Sequence, residues 1–272
     1  MRHSFLHTIR HTPVIGMVHV RALPGTPDSE LTVPEICDIA LTEAATLVRY
    51  GFDGIILENM HDRPYLKREV GPEIIAAMTI ISRAVREKIH QPCGIQILAG
   101  ANQAALAVAQ AAGLDFIRAE GFVYSHVADE GFMNADAGPL LRYRTRIAAS
   151  NIRIFTDIQK KHSAHAVTGD LDLVAHAKAA EFFSSDGLII TGSTTGEAPQ
   201  IHEITRVKGA TRLPVFLGSG ITADNLADFW PVADGFIVGS DLKQDGLWSN
   251  DLDEERLKAF TQTVKELRHG SD

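Results

Sequence analysis

The sequence predicts a closed (β/α)8 TIM barrel of α/β class, and three observations carry that prediction. Eight short apolar runs recur along the 272 residues, each rich in Ile and Val and each ending at a polar residue or glycine. Runs of this kind, without clean polar alternation, are typical of parallel strands buried on both faces. Helical patterns with recognisable ends separate the runs, and no Ser/Pro-rich linker or break in composition interrupts the alternation. Eight such units in this length favour a closed barrel over a doubly wound sheet, which needs an edge and a reversal of strand order. Residues 1–272 therefore read as one barrel domain, with 1–12 as an N-terminal extension outside the barrel.

The first run is "PVIGMVHV" (13–20). The helix behind it opens at Thr32-Val-Pro-Glu35 like a capping box, with Pro34 early enough that its missing N–H does no harm, and Gly51 suits a left-handed C-cap. "GFDGIILEN" (51–59) and "CGIQILAG" (93–100) are the second and third strands. Asn102 is expected to cap the third helix and Gly113 to close it. "GLDFIRAE" (113–120), "IRIFTDIQ" (152–159) and "SDGLIITGS" (185–193) follow as strands four to six. "LPVFLGSG" (213–220) and "ADGFIVGS" (233–240) complete the set, with Thr222 placed to cap "ADNLADFW" between them. Strands are expected to begin near residues 14, 53, 93, 114, 152, 186, 213 and 234. The connection 121–138 exceeds the usual βα loop length and reads as a lid or an oligomer contact, with Phe122, Tyr124, Phe132 and Met133 as its apolar residues.

Composition sets the function classes. A hydrophobic share of 45% and a charged share of 22% are those of a globular protein with a sizeable core. A net charge of −8 argues against a general nucleic-acid binder, yet allows a small phosphorylated ligand, which needs only a local positive potential. Cys37 and Cys93 are too few for a disulfide scaffold and suit a reducing compartment. The first 13 residues carry no apolar core of signal-peptide length, and no run is long enough to span a membrane. The expectation is a cytoplasmic homo-oligomer.

Catalytic groups of this fold gather at the C-terminal strand ends. There the sequence offers His19, Glu58, Asn59, Gln96, Glu120, Asp157, Gln159, Lys161, His162 and Thr191. The paired endings Ser219-Gly220 and Gly239-Ser240 follow strands seven and eight, where this fold commonly holds phosphate. Glycine lets the backbone come close, and successive N–H groups then converge on an anion, with Thr222 to Asn225 adding a helix N-terminus. The plainer alternative is that these glycines only make tight turns.

In "TDIQKKHSAH" (156–165), Asp157, Gln159 and Lys161 share a period of two, so an extended strand aims all three the same way. Lys161 can serve as base, electrophile or Schiff-base amine, and His162 can transfer protons. Taken without their position, Lys160 and Lys161 read as a solvated loop pair. Glu58, His61 and Asp62 with His19 suggest a divalent metal, but His-x-His and HExxH patterns are missing. No metal and no cofactor are therefore expected, and Glu58 serves as general acid or base. "TGSTTGEAP" (191–199) is no Walker motif and reads as a hydroxyl-rich loop over a phosphate or sugar. The assignment is thus Glu58, Glu120, Asp157, Lys161 and His162 as catalytic. His19, Asn59, Gln96, Thr191, Ser219, Gly220, Gly239 and Ser240 are assigned to substrate and phosphate binding.

"VIGMVHVRALPGTP" (14–27), "LENMHDRPY" (57–65), "LLRYR" (140–144), "DIQKKHSA" (157–164), "TGSTTGEAP" and "GSGIT" (218–222) together resemble the BtpA family, which includes the SgcQ-type proteins. The resemblance runs from about Pro13 to Lys243 and implies a (β/α)8 barrel. It also implies a link to photosystem I biogenesis in photosynthetic bacteria and, for some members, to sugar metabolism, without fixing one reaction. Family members often have Phe-Gly at Met60-His61 and "RVNV" at Arg118-Ala-Glu120, both at the expected active face. Two functions are open. One is an enzyme acting on a phosphorylated sugar or nucleoside-like metabolite as a lyase or aldolase, isomerase or hydrolase. The other is a non-catalytic ligand-binding or assembly protein. Convergence of Glu58, Glu120, Asp157 and Lys161 separates them.

Overall fold

A computed structural model describes residues 11–192 and 198–270. Residues 1–10 of the expected extension and 193–197 of the hydroxyl-rich loop lie outside the described residues. The first half of the chain runs β1 (Val14–His19), α1 (Val33–Tyr50), β2 (Gly54–Glu58), α2 (Pro72–Lys88), β3 (Cys93–Gln96), α3 (Asn102–Ala112) and β4 (Phe116–Ala119). A hairpin of β5 (His126–Ala128) and β6 (Gly131–Met133) precedes α4 (Ala137–Arg146), β7 (Arg153–Ile158), β8 (Ser163–Ala164) and α5 (Leu173–Phe182). Then come β9 (Gly187–Ile190), α6 (Ile201–Ala210), β10 (Val215–Leu217), α7 (Leu226–Phe229), β11 (Gly235–Val238) and α8 (Glu254–His269). Among the described residues, eight strands close into a parallel barrel in the order β1-β11-β10-β9-β7-β4-β3-β2. Their starts at 14, 54, 93, 116, 153, 187, 215 and 235 lie within two residues of the sequence expectation.

The barrel interior is filled by Ile15, Met17, Ile56, Phe116, Phe155, Ile189, Phe216 and Ile237. The rings of Phe116, Phe155 and Phe216 stack edge to face, with centroids 5.6 and 5.3 Å apart. Each ring needs a glycine beside it: a Cβ on Gly94, Gly187 or Gly235 would sit 2.3–2.4 Å from Phe116, Phe155 or Phe216. These rings form a dry floor, so polar side chains from the strand ends have room only above it. A second, larger core packs the outer faces of the strands against the helices.

Helix ends test the sequence reading locally. The Thr32 N–H donates to Glu35 Oε2 at 2.8 Å, and Gly51 closes α1 at φ 95°, as the capping box and C-cap require. Gly113 ends α3 at φ 77°. Asn102, however, lies inside the first turn of α3, and its amide donates to Glu120 O and Asp136 instead of capping. Thr222 and Asn225 bond each other's backbone N–H, and α7 begins only at Leu226 and spans four residues. The corner expected to hold an anion therefore has loop N–H groups but no helix dipole of useful length. The long connection 121–138 contains the β5–β6 hairpin, which pairs with β8 in a separate antiparallel sheet of order β6-β5-β8. Phe122 and Met133 anchor it in the core, while Val127 and Phe132 pair across the hairpin in the open.

Candidate functional site

A cavity of about 530 Å³ opens above the floor at the C-terminal ends of the strands. Register places His19 beside Glu58, because β1 and β2 pair through those two residues. His19 Nδ1 lies 2.9 Å from Trp248 O, and its Nε2 lies 3.8 Å from Glu58 Oε2. Burial, helped by the Lys243 charge, pushes the His19 pKa down to about 3, so the imidazole is neutral at pH 7. Its Nδ1–H donates to the Trp248 carbonyl, which leaves the Nε2 lone pair facing Glu58. Burial raises the Glu58 carboxyl, and the opposing pull of Arg118 and Lys161 does not cancel it.

Opposite this pair stand the cations. Arg118, from β4, makes a bidentate pair with Asp157 of β7, with Nε to Oδ2 at 2.9 Å and Nη2 to Oδ1 at 2.8 Å. Burial works against the Arg118 charge, but Asp157, with Glu58 and Glu120, raises its pKa. Gly218 leaves the guanidinium space, since a Cβ there would lie 3.3 Å from Arg118 Nη2 and 2.5 Å from Ile189. Glu120 is held by Lys160 Nζ at 3.1 Å and by Gln96 Nε2 at 3.1 Å. Lys161 differs from Lys160. Among the described residues no carboxylate lies within 4.0 Å of its ammonium, and burial, then Arg118, lower its pKa. Its own backbone N–H donates to Thr191 Oγ1 at 3.0 Å.

The turn that presents the lysines overturns the period-of-two argument. β7 stops at Ile158, Gln159 takes φ 50° and His162 takes φ 55°. Left-handed residues on both sides of Lys160-Lys161 break the alternation, a strain that persists only where surroundings enforce it. Gln159 consequently leaves the mouth and reaches toward Leu171 O and His176, in a separate pocket of about 10 Å³.

At the glycine corner the cavity is lined by Ser219, Gly220, Ile221, Gly239 and Ser240. Gly220 has φ 70°, a backbone only glycine adopts cheaply. The backbone N–H groups of Ser219, Gly220 and Ile221 meet no acceptor among the described residues. Ser219 Oγ accepts the Gly192 N–H at 3.0 Å, which leaves its own proton to donate. A Cβ at Gly239 would sit 3.2 Å from His19 Cε1, so the corner borders the His19–Glu58 pair directly.

Ten of the thirteen residues assigned from sequence line this cavity: His19, Glu58, Gln96, Glu120, Lys161, His162, Ser219, Gly220, Gly239 and Ser240. Asn59, Asp157 and Thr191 do not. Asn59 is spent on the mouth's framework, donating to Asp62 Oδ2 and accepting the Leu98 N–H, both at 2.8 Å, while Asp62 accepts the Leu23 N–H. Asp157 lies beneath Arg118, and Thr191 holds the Lys161 backbone. Sequence reasoning missed Arg118 as a site residue, and also Lys160, Tyr65, Glu130 and Trp248 of the lining. An arginine inside the apolar run "FIRA" was the available signal for the first. Among the described residues no three His, Cys, Asp or Glu side chains are spaced to hold a metal ion. Asp62 is committed to backbone and Asn59, and His61 packs edge-on against Trp248 at 4.9 Å.

The chain matches the BtpA family over residues 10–266. A Caenorhabditis elegans protein named as mitochondrial is 51% identical over 260 residues, covering 94% of each chain. The photosystem I biogenesis protein BtpA of Synechocystis sp. is 34% identical over 257 residues, covering 94% of this chain and 89% of that one. The solved tryptophan synthase of Mycobacterium tuberculosis aligns with a TM-score of 0.60 at 16% identity over 98% of this chain and 96% of its own. Phosphoribosyl anthranilate isomerase of Thermus thermophilus aligns at 0.59 and 13% identity over 94% and 100%. At these identities the two structures share the fold. No described helix is long and apolar enough to cross a membrane.

Proposed function

The chain belongs to the BtpA family, and we propose that it is an enzyme cleaving a phosphorylated carbonyl metabolite by aldol-type chemistry through an imine on Lys161. The observation that carries this reading is the Lys161 ammonium, half-buried in the cavity beside Arg118 and without a carboxylate partner among the described residues. An amine so placed loses its proton more readily than an exposed lysine and is nucleophilic at lower pH. It adds to the substrate carbonyl with loss of water, and the resulting iminium accepts the electron pair when the Cα–Cβ bond breaks to give an enamine. After the enamine carbon is protonated, water hydrolyses the iminium and frees the lysine. Glu58 takes the β-hydroxyl proton and returns it to the enamine carbon, a double duty suited to a carboxyl raised by burial. Arg118 holds an oxygen of the substrate, and the N–H groups of Ser219, Gly220 and Ile221, which meet no acceptor among the described residues, hold the phosphate.

The name of the Thermus neighbour refers to a phosphoribosyl compound, which agrees with a phosphate in the shared fold's usual corner. The Synechocystis name points to an assembly role instead. A non-catalytic barrel has no use for Glu58, Glu120 and Lys161 around one cavity, and this favours catalysis. The same reading takes residues 1–272 as one barrel unit in a cytoplasmic homo-oligomer, for which sedimentation gives the stoichiometry. The test is turnover on a panel of ketose phosphates, with the released aldehyde or ketone read by a coupled dehydrogenase. Wild type should turn over at least one, and Lys161→Met should lose about 10³-fold or more in kcat. Turnover that survives Lys161→Met refutes the imine.

A further inference from the structure

The phosphate corner and the lysine use only part of the cavity. In the closed strand order β3 stands opposite β10, so the residues after β3 face the glycine corner across the mouth. That far wall is apolar. Met60, Tyr65 and Leu98 pack together there with Met133 of the hairpin, and the first three line the cavity. The Tyr65 hydroxyl donates to Met60 O at 2.8 Å, so it is the ring, not the hydroxyl, that is left for a ligand. Thioethers beside an aromatic ring favour a further flat ring over an alkyl chain.

Two buried acceptors border this wall without donors. Among the described residues Gln96 Oε1 has no hydrogen-bond partner, and which end of its amide is oxygen is fixed because Nε2 must face the Glu120 carboxylate. Glu130 Oε2, from the turn between β5 and β6, is likewise buried and without a partner among the described residues. Buried polar atoms are almost always satisfied, so orphan oxygens on two side chains that line the cavity mark an unmet hydrogen-bonding need at its edge. Both accept, and what they lack is an N–H or O–H donor; beside a wall that takes a flat ring, a ring N–H at its edge meets this need without setting a hydroxyl against the thioethers. A volume of about 530 Å³ is also within the range that encloses a ligand of drug size.

Resting on the phosphate-binding reading above, we infer that the substrate is a sugar phosphate carrying a planar, N–H-bearing ring. The ring lies against Met60, Tyr65 and Leu98 and donates to Gln96 Oε1 and Glu130 Oε2. The phosphate sits at the Gly220–Gly239 corner, and the reacting carbon lies between them, over Lys161 and Glu58. A bare ketose or aldose phosphate is then a truncated substrate, turned over more slowly than one that carries the ring.

Calorimetry with inorganic phosphate, ribose 5-phosphate and the four common ribonucleoside 5′-monophosphates tests this. The best nucleotide should bind at least about tenfold tighter than ribose 5-phosphate. Tyr65→Ala and Glu130→Ala should each erase most of that advantage and leave ribose 5-phosphate affinity unchanged. Tyr65→Phe, which keeps the ring, should retain it and shows that the fold tolerates change there. Equal affinity for nucleotides and ribose 5-phosphate overturns the inference and leaves the phosphate corner intact, as does Tyr65→Ala weakening both ligands alike. Binding of none of these probes overturns the inference together with the phosphate-binding reading on which it rests.

Discussion

Replacing Asp157 by Asn removes a charge that the cavity never touches, and its effect should nevertheless be large. The Arg118 and Asp157 side chains are 7% and 1% exposed and are joined by two hydrogen bonds of 2.8 and 2.9 Å. Two unit charges about 4 Å apart attract by about 4 kcal/mol at an effective dielectric of about 20. Breaking a buried pair from one side typically costs about 3–5 kcal/mol, because the surviving charge stays desolvated. Glu58 and Glu120 also act on Arg118 and recover part of this, so the lower end, about 3 kcal/mol, is expected. In a chain of this size that loss lowers Tm by roughly 6–12 °C. Urea unfolding followed by circular dichroism gives the free energy. The double variant Arg118→Met/Asp157→Asn should recover most of it, since no uncompensated guanidinium remains. A loss below about 1 kcal/mol in Asp157→Asn, or a double variant less stable than either single one, contradicts the buried-pair argument.

Two further outcomes follow from the same geometry. Gly239→Val should weaken phosphate binding by about tenfold or more in calorimetry, because its side chain meets the His19 ring where the backbone now leaves room; unchanged affinity in the folded variant would move the anion elsewhere. His19, with a folded pKa of about 3 against an ordinary 6.5, binds its proton more weakly in the native state, so its contribution falls as pH falls. Between pH 6.5 and about 3 it should remove about 1.4 kcal/mol of stability per pH unit, and His19→Gln should flatten that part of the profile measured by urea titration. Identical slopes in the two proteins would show that the imidazole takes up its proton as readily in the fold as in the unfolded chain.

The barrel was legible because its signal is redundant: each apolar run is buried on both faces, so Ile and Val recur without alternation wherever a strand falls. The glycine corner was legible for a similar reason, since two successive strand ends carry the same Gly-Ser pair. The lysine turn was legible only in part. Strand periodicity placed Lys161 in the mouth, yet what aims it there is the left-handed pair Gln159 and His162, which no alternation rule anticipates. Asn59 and Thr191 sit at strand ends like true site residues, and only their partners show that they hold backbone segments in place. Arg118 stood in plain view inside an apolar run, but its meaning depends on Asp157, 39 residues later and one strand away.

The central claim is that Lys161 is the amine that meets the substrate carbonyl, and borohydride reduction tests it most directly. The protein is incubated with a carbonyl sugar phosphate that it turns over, reduced, digested, and the peptide containing residues 159–162 weighed. The expected result is an added mass equal to the substrate, or to the ketone fragment left by cleavage, with its carbonyl oxygen replaced by the new C–N bond, located on Lys161 by fragmentation and lost in Lys161→Met. Label on Lys160, or on neither lysine under conditions where turnover is measured, would contradict it.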